Sequence, residues 1–150
     1  MDNVDGPFDA AIAMFTTLGQ VGNDDSSNEG VLEQVSKLLR PGAGFVVEVP
    51  QRNTTVAQLV EHDEFGSGDN RTQITRRYHE ASSRVYENFV VVADGVERHF
   101  DLAYRLFDRS ELEALLASAE LGDLTFSADL AGTPLTDTDP TMVAIAHRPA

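Results

Sequence analysis

A chain of 150 residues holds a single core, and its 25 acidic against 11 basic residues leave a formal charge of −14. Such a surface repels phosphate backbones and anionic lipid, which argues against nucleic acid or a membrane as a partner recognised through charge. With no cysteine, disulfides, thiolate zinc sites and a cysteine nucleophile are excluded. No window reaches the roughly 18 apolar residues of a membrane span. The N-terminus also lacks the basic and apolar regions of a signal peptide, so a cytoplasmic location is expected. Lys37 is the single lysine beside ten arginines. An acidic, lysine-poor surface suits a salt-loaded cytoplasm, so a halophilic source is expected, the plain alternative being an acidic bacterial protein.

In chain order, Phe8 to Phe15 follows a Gly-Pro turn and is apolar apart from Asp9, which predicts a buried strand. Asn23-Asp24-Asp25-Ser26-Ser27-Asn28 is rich in N-cap residues and anionic where a helix dipole favours negative charge. The helix it starts carries Val31, Leu32, Val35, Leu38 and Leu39 on one face. Leu38 to Pro50 then turns that helix into a strand. Pro41 stops the helix, Gly42 supplies the positive φ a helix end needs, and Phe45, Val46, Val47 and Val49 form an apolar run suited to a strand covered on both faces.

After Pro50, Asn53 or Thr54 is expected to cap a short helix bearing Val56, Leu59 and Val60, and Gly66 to Asn70 reads as a loop. The period then changes to two. Ile74, Arg76 and Tyr78 alternate with Thr75, Arg77 and His79; Val85, Glu87, Phe89 and Val91 alternate with their neighbours; Asp94-Gly95 signals a hairpin into Val96 to Leu106. Three antiparallel strands over about 72–106 are expected, interrupting an α/β core made of 1–71 and 107–150. Asp108 or Ser110 can cap the next helix, with a Glu three residues on in each case. Leu112, Leu115, Leu116 and Ala119 give it a buried stripe, and Gly122 is expected to end it. Strands at Leu124 to Ala128 and Met142 to His147 finish the chain.

Three motifs, in this order, resemble the C-terminal half of a class I S-adenosylmethionine-dependent methyltransferase. Phe8-Asp9-Ala10 with Phe15-Thr16-Thr17-Leu18-Gly19 looks like that family's fourth strand and following loop. Leu38-Leu39-Arg40-Pro41-Gly42-Ala43-Gly44 looks like its Pro-Gly turn before the fifth strand. Phe107 to Leu112 with Met142 to Ala146 resembles its last helix and closing strand. The resemblance covers essentially the whole chain. It implies an α/β, Rossmann-like sheet with the fourth, fifth, seventh and sixth strands side by side, and an antiparallel insert roofing the site. Gly42-Ala43-Gly44 is no cofactor cradle, because it precedes a strand, whereas a cradling turn follows one and opens a helix. The family's Gly-rich cofactor turn is not among these residues, so the chain alone is expected to be inactive.

The resemblance further implies S-adenosylmethionine as cofactor, with Met14, Phe15 and Thr16 lining its methionine and sulfonium side, against a plain reading of loop packing. Gln51, Arg52 and Asn53 follow the fifth strand and face a small-molecule methyl acceptor or solvent. Arg76, Tyr78 and Tyr104 lie on the insert and contact that acceptor or simply pack the sheet. No catalytic acid or base is assigned, since aligning acceptor, methyl and leaving sulfur supplies much of the acceleration. His62-Asp63-Glu64, His79, His99 and His147 match no ligand spacing, so no metal is expected. No serine sits in a nucleophile elbow. Two readings stand: a methyltransferase needing its N-terminal half from elsewhere, or a non-catalytic half-domain serving as an interaction module. The C-terminal part of a nicotinamide dehydrogenase fits less well, because the Arg-Pro-Gly turn and antiparallel tail favour the methyltransferase. In either reading strand 8–15 is an apolar edge, expected to self-associate or to pair with a complementing N-terminal half.

Overall fold

The computed structural model describes residues 4–20 and 25–150. Its elements are β1 (Phe8–Ala13), α1 (Asp25–Leu38), β2 (Leu39–Pro50), α2 (Arg52–Ala57), β3 (His62–Ser67), β4 (Asn70–His79), β5 (Arg84–Ala93), β6 (Val96–Arg105), α3 (Arg109–Ser118), β7 (Gly122–Ser127) and β8 (Thr141–His147). One sheet is ordered β1-β2-β8-β7, with β1 parallel to β2 and β8 antiparallel to both its neighbours. This is the expected order of fourth, fifth, seventh and sixth strands. The residues proposed to start α1, Asn23 and Asp24, lie outside the described residues.

The helix-to-strand turn has a form the sequence did not predict. α1 stops at Leu38, and β2 already begins at Leu39. Phe8 pairs with Leu39 and Ala10 with Gly44, so Arg40 to Ala43 bulge out of the ladder between them. Gly42 supplies the positive φ, +77°, and hydrogen bonds between Gly42 N–H and the Arg148 carbonyl (2.9 Å) and between Arg148 N–H and the Ala43 carbonyl (3.0 Å) hold the bulge in place.

From Ala43 onward, Ala43, Phe45, Val47 and Val49 are buried in one cluster with Leu32, Leu112 and Leu116 of the two long helices. The opposite face is not covered as the apolar run predicted. There Ile12, Val46 and Ile145 sit side by side across three strands; Ile12 is 73% exposed, and the other two are half-buried. β1 also ends at Ala13 rather than Phe15, and as an edge strand it has one side of its backbone unpaired among the described residues.

The second sheet is ordered β3-β4-β5-β6 and wholly antiparallel. It has four strands over 62–105, not three over 72–106. The expected loop is a two-residue turn at Gly68-Asp69, because Ser67 pairs with Asn70. Asp94 (φ +52°) and Gly95 (φ +74°) form the hairpin turn the sequence signalled.

Two helix ends also differ in detail. α2 is preceded by Gln51 without a side-chain cap, and Thr54, one proposed cap, is buried inside it. α3 does carry the capping box: Asp108 Oδ1 accepts the Glu111 N–H at 2.8 Å, and Glu111 Oε2 accepts the Asp108 N–H at 3.0 Å. It ends at Ser118, with Glu120 at φ +60° making the turn instead of Gly122, which opens β7. No helix among the described residues is long and apolar enough to cross a membrane.

Candidate functional site

Met14 to Thr16 and Gln51 to Asn53 follow the C-terminal ends of β1 and β2, where open α/β sheets bind ligands, and the other candidates lie on the second sheet. Directly after β1, Phe15 and Thr16 both adopt left-handed conformations, φ +56° and +63°. Neither is a glycine, and threonine is β-branched, so the pair stores strain of about 1–3 kcal/mol per residue. Such strain persists only where surrounding structure imposes it. Phe15 is 84% exposed, while Met14 and Thr16 are half-buried. The loop presents a thioether, an aromatic face and a hydroxyl. That set suits one side of a sulfonium-bearing cofactor, since an aromatic face attracts a cation.

After β2, the three proposed acceptor contacts part company. Gln51 Nε2 donates to the Thr136 and Asp139 carbonyls (2.9 and 2.7 Å), and the Gln51 N–H donates to the Pro140 carbonyl (3.0 Å). Gln51 thus anchors the loop before β8. Arg52 is also engaged within the protein. Nη1 donates to both Glu111 oxygens at 2.8 Å and to Ser83 Oγ at 3.2 Å, and Nη2 pairs with Asp108. The Glu111 hydrogen bond raises the guanidinium pKa against the lowering effect of burial. For Asp108, burial opposes the charged form, but the Glu111 N–H, the Ser110 hydroxyl and Arg52 outweigh it and lower the pKa. Arg52 is accordingly a brace between α2, the second sheet and α3. Asn53 is exposed at the start of α2.

The second sheet brings Arg76 and Tyr104 together but not Tyr78. Arg76 and Tyr104 line a cavity of about 270 Å³ with Asp63 and, from α2 and the residue after it, Thr54, Thr55 and Gln58. Tyr78 lies off this cavity, within electrostatic reach of Arg52. Arg76 Nε donates to Glu87 Oε1 at 2.8 Å, Nη1 lies 3.5 Å from Asp63 Oδ2, and Nη1 also donates to the Val60 carbonyl at 3.3 Å. Glu87 and Asp63 were absent from the sequence-derived set. The signal for Glu87 was its place among Val85, Phe89 and Val91 on the inward face: a buried carboxylate there needs a cation, and Arg76 is its cross-strand neighbour. Asp63 carried no such signal, because β3 was not foreseen.

Burial first, then the Glu87 charge, pushes the Tyr104 hydroxyl up to about 12. Folding therefore favours the protonated phenol. Its contribution to stability is complete below the unfolded value near 10 and is lost as pH rises through about 12. We expect an absorbance titration to show one tyrosine ionising near pH 12, absent in Tyr104→Phe. Complete ionisation of all tyrosines by about pH 11 in the folded chain would contradict this.

A parallel pair at the edge of a mixed sheet, helices on one face and an antiparallel sheet inserted ahead of the last helix define an α/β fold with a roof over the strand ends. Solved structures share it. The CcbJ methyltransferase from Streptomyces caelestis matches with a TM-score of 0.81 at 18% identity, over 100% of this chain and 61% of its own. An S-adenosylmethionine-dependent methyltransferase from Clostridium acetobutylicum matches with a TM-score of 0.81 at 12% identity, over 99% and 61%. CalS10, an amino pentose methyltransferase from Micromonospora echinaspora solved with S-adenosylmethionine bound, matches with a TM-score of 0.58 at 19% identity, over 97% and 60%. The fold is that of the C-terminal portion of S-adenosylmethionine-dependent methyltransferases, and the chain spans about three-fifths of the length of these structures. No protein-family model and no curated protein sequence matches the chain.

Proposed function

We propose that this chain forms the acceptor-facing part of an S-adenosylmethionine-dependent methyltransferase site acting on a small molecule. One observation carries the reading: the strained loop after β1 and the cavity roofed by the second sheet lie at the same ends of adjacent parallel strands. The cofactor assignment draws support from the fold's neighbours, one of which holds S-adenosylmethionine. When bound, the cofactor supplies an electrophilic methyl group on a sulfonium. Met14, Phe15 and Thr16 line that side of the site. Arg76 and Tyr104 line the acceptor side, with Arg76 held in place by Glu87 and Asp63. Positioning of this kind supplies rate without acid–base chemistry when the acceptor is already nucleophilic.

Under this reading the loop covers one side of the cofactor, and the chain alone binds it weakly and is inactive. Chemical-shift mapping with S-adenosylhomocysteine tests the reading: saturable shifts at Met14 to Thr17 support it, and shifts elsewhere or none contradict it.

A second reading, a non-catalytic interaction module, is favoured by the β1 edge, unpaired among the described residues, and by the open Ile12, Val46 and Ile145 face. Both readings predict that the isolated chain self-associates through this surface and that Ile12→Lys weakens the association. A wild-type monomer independent of concentration in sedimentation would contradict the edge as a pairing surface.

A further inference from the structure

Three parts of the molecule meet at Gly19. Its N–H donates to Asn28 Oδ1 at 2.9 Å, and its carbonyl accepts from the Arg105 N–H at 3.0 Å and from Arg84 Nη1 at 3.4 Å. Asn28 lies in the first turn of α1 and is 1% exposed. Arg84 opens β5 and Arg105 closes β6, and the two are cross-strand partners at the base of the second sheet. From that base the bonds continue. Leu106 N–H donates to the Ser83 carbonyl at 2.7 Å, Ser83 Oγ accepts from Arg52, and Arg52 N–H donates to the Phe107 carbonyl at 3.0 Å. An unbroken path therefore joins the loop after β1, the roots of the roof and the first residue of α2.

The Asn28 amide has only one orientation that works. Its oxygen must face the Gly19 N–H, since the NH₂ group cannot accept a hydrogen bond. Nδ2 is buried without a hydrogen-bond partner among the described residues, so the acceptor oxygen is the atom that accounts for the amide. Upstream, the left-handed Phe15 and Thr16 are supported among the described residues by local bonds, the Thr17 N–H and hydroxyl donating to the Met14 carbonyl. Strained conformations persist when the surroundings over-determine them, and Gly19 is where the surroundings take hold.

We propose that Asn28 is a positioning residue: by holding the Gly19 N–H it fixes the Met14 to Leu18 loop against the base of the second sheet, and so aligns the cofactor-facing loop with the acceptor cavity. The alignment rests on the methyltransferase reading; the clamp does not.

Amide hydrogen exchange by NMR on the wild-type chain, Asn28→Ala and Asn28→Asp separates the two. In wild type, Gly19 should be protected to the level of core amides such as Val47 and Ala144. In Asn28→Ala, Thr16 to Gly19 should exchange about tenfold faster than any change shared by those core amides, matching the loss of one hydrogen bond. Asn28→Asp keeps an acceptor oxygen and should restore Gly19 protection despite a lower overall stability. Equal acceleration of loop and core in Asn28→Ala, or no rescue by Asn28→Asp, would overturn the proposal. Should Asn28→Ala not fold, an unprotected Gly19 in wild type overturns it and a protected Gly19 retained in Asn28→Asp upholds it. Shifts at Met14 to Thr16 on adding S-adenosylhomocysteine should weaken in Asn28→Ala and persist in Asn28→Asp. Absence of any such shift in wild type counts against the methyltransferase reading, while the exchange measurement still decides the clamp.

Discussion

Phe107→Ala is expected to lower the unfolding free energy by about 3–5 kcal/mol. Phe107 is 2% exposed and belongs to the core cluster containing Leu18, Leu112 and Leu116. It is also the joint between the two sheets. Its carbonyl accepts the Arg52 N–H, it forms a bridge with Gln51, and the Arg105 guanidinium sits 4.7 Å from its ring centroid. Truncation removes buried area, leaves a cavity the surrounding backbone cannot fill, and takes away the face on which Arg105 rests. Urea unfolding followed by circular dichroism measures the loss, and a change below about 1 kcal/mol would show that the joint does not carry the packing assigned to it.

Gly19→Ala is expected to cost about 2–3 kcal/mol and to displace the loop rather than the core. A Cβ at Gly19 would lie 2.7 Å from the Arg105 carbonyl oxygen and 3.3 Å from its nitrogen, and the φ of +100° already disfavours any side chain. Both obstacles are backbone, so neither swings aside as a side chain would. Relief requires moving the loop or the end of β6, and either breaks the 3.0 Å bond between them. Thermal unfolding reads the cost, and NMR shift changes at Met14 to Leu18 read the displacement. A variant as stable as wild type with unmoved loop resonances would contradict the close approach.

The first sheet was legible because its punctuation is strong. Pro41 and Gly42 mark the passage from α1 into β2, Pro50 ends that strand, and the capping box of Asp108 and Glu111 marks the last helix, so element order followed, while the sheet order came from the family resemblance. β3 was not legible, because His62 to Ser67 is a polar edge strand with all but Asp63 exposed and no buried face to impose alternation. The Gly68-Asp69 pair was its one usable signal, a two-residue hairpin turn inside a stretch rich in other turn residues.

In the candidate site, Arg76, Tyr78 and Tyr104 were singled out together because one face of the sheet carries all three, and alternation does not tell which of them reach the cavity. The bracing contacts of Arg52 were not legible because its partners, Asp108 and Glu111, are more than fifty positions away, and charge pairing over that distance leaves no local trace. Asn28 was read as one of a run of helix-starting residues. Its burial against Gly19 arises only when the loop after β1 folds back over α1.

The central claim is that the loop after β1 faces the cofactor. Chemical-shift mapping of the wild-type chain with S-adenosylhomocysteine, taken to about 5 mM to reach weak affinities, tests it most directly. The account predicts saturable shifts confined to Met14 to Thr17 and the residues bonded to them, too weak for calorimetry on the isolated chain. Shifts clustered elsewhere, or none at that concentration, would contradict it.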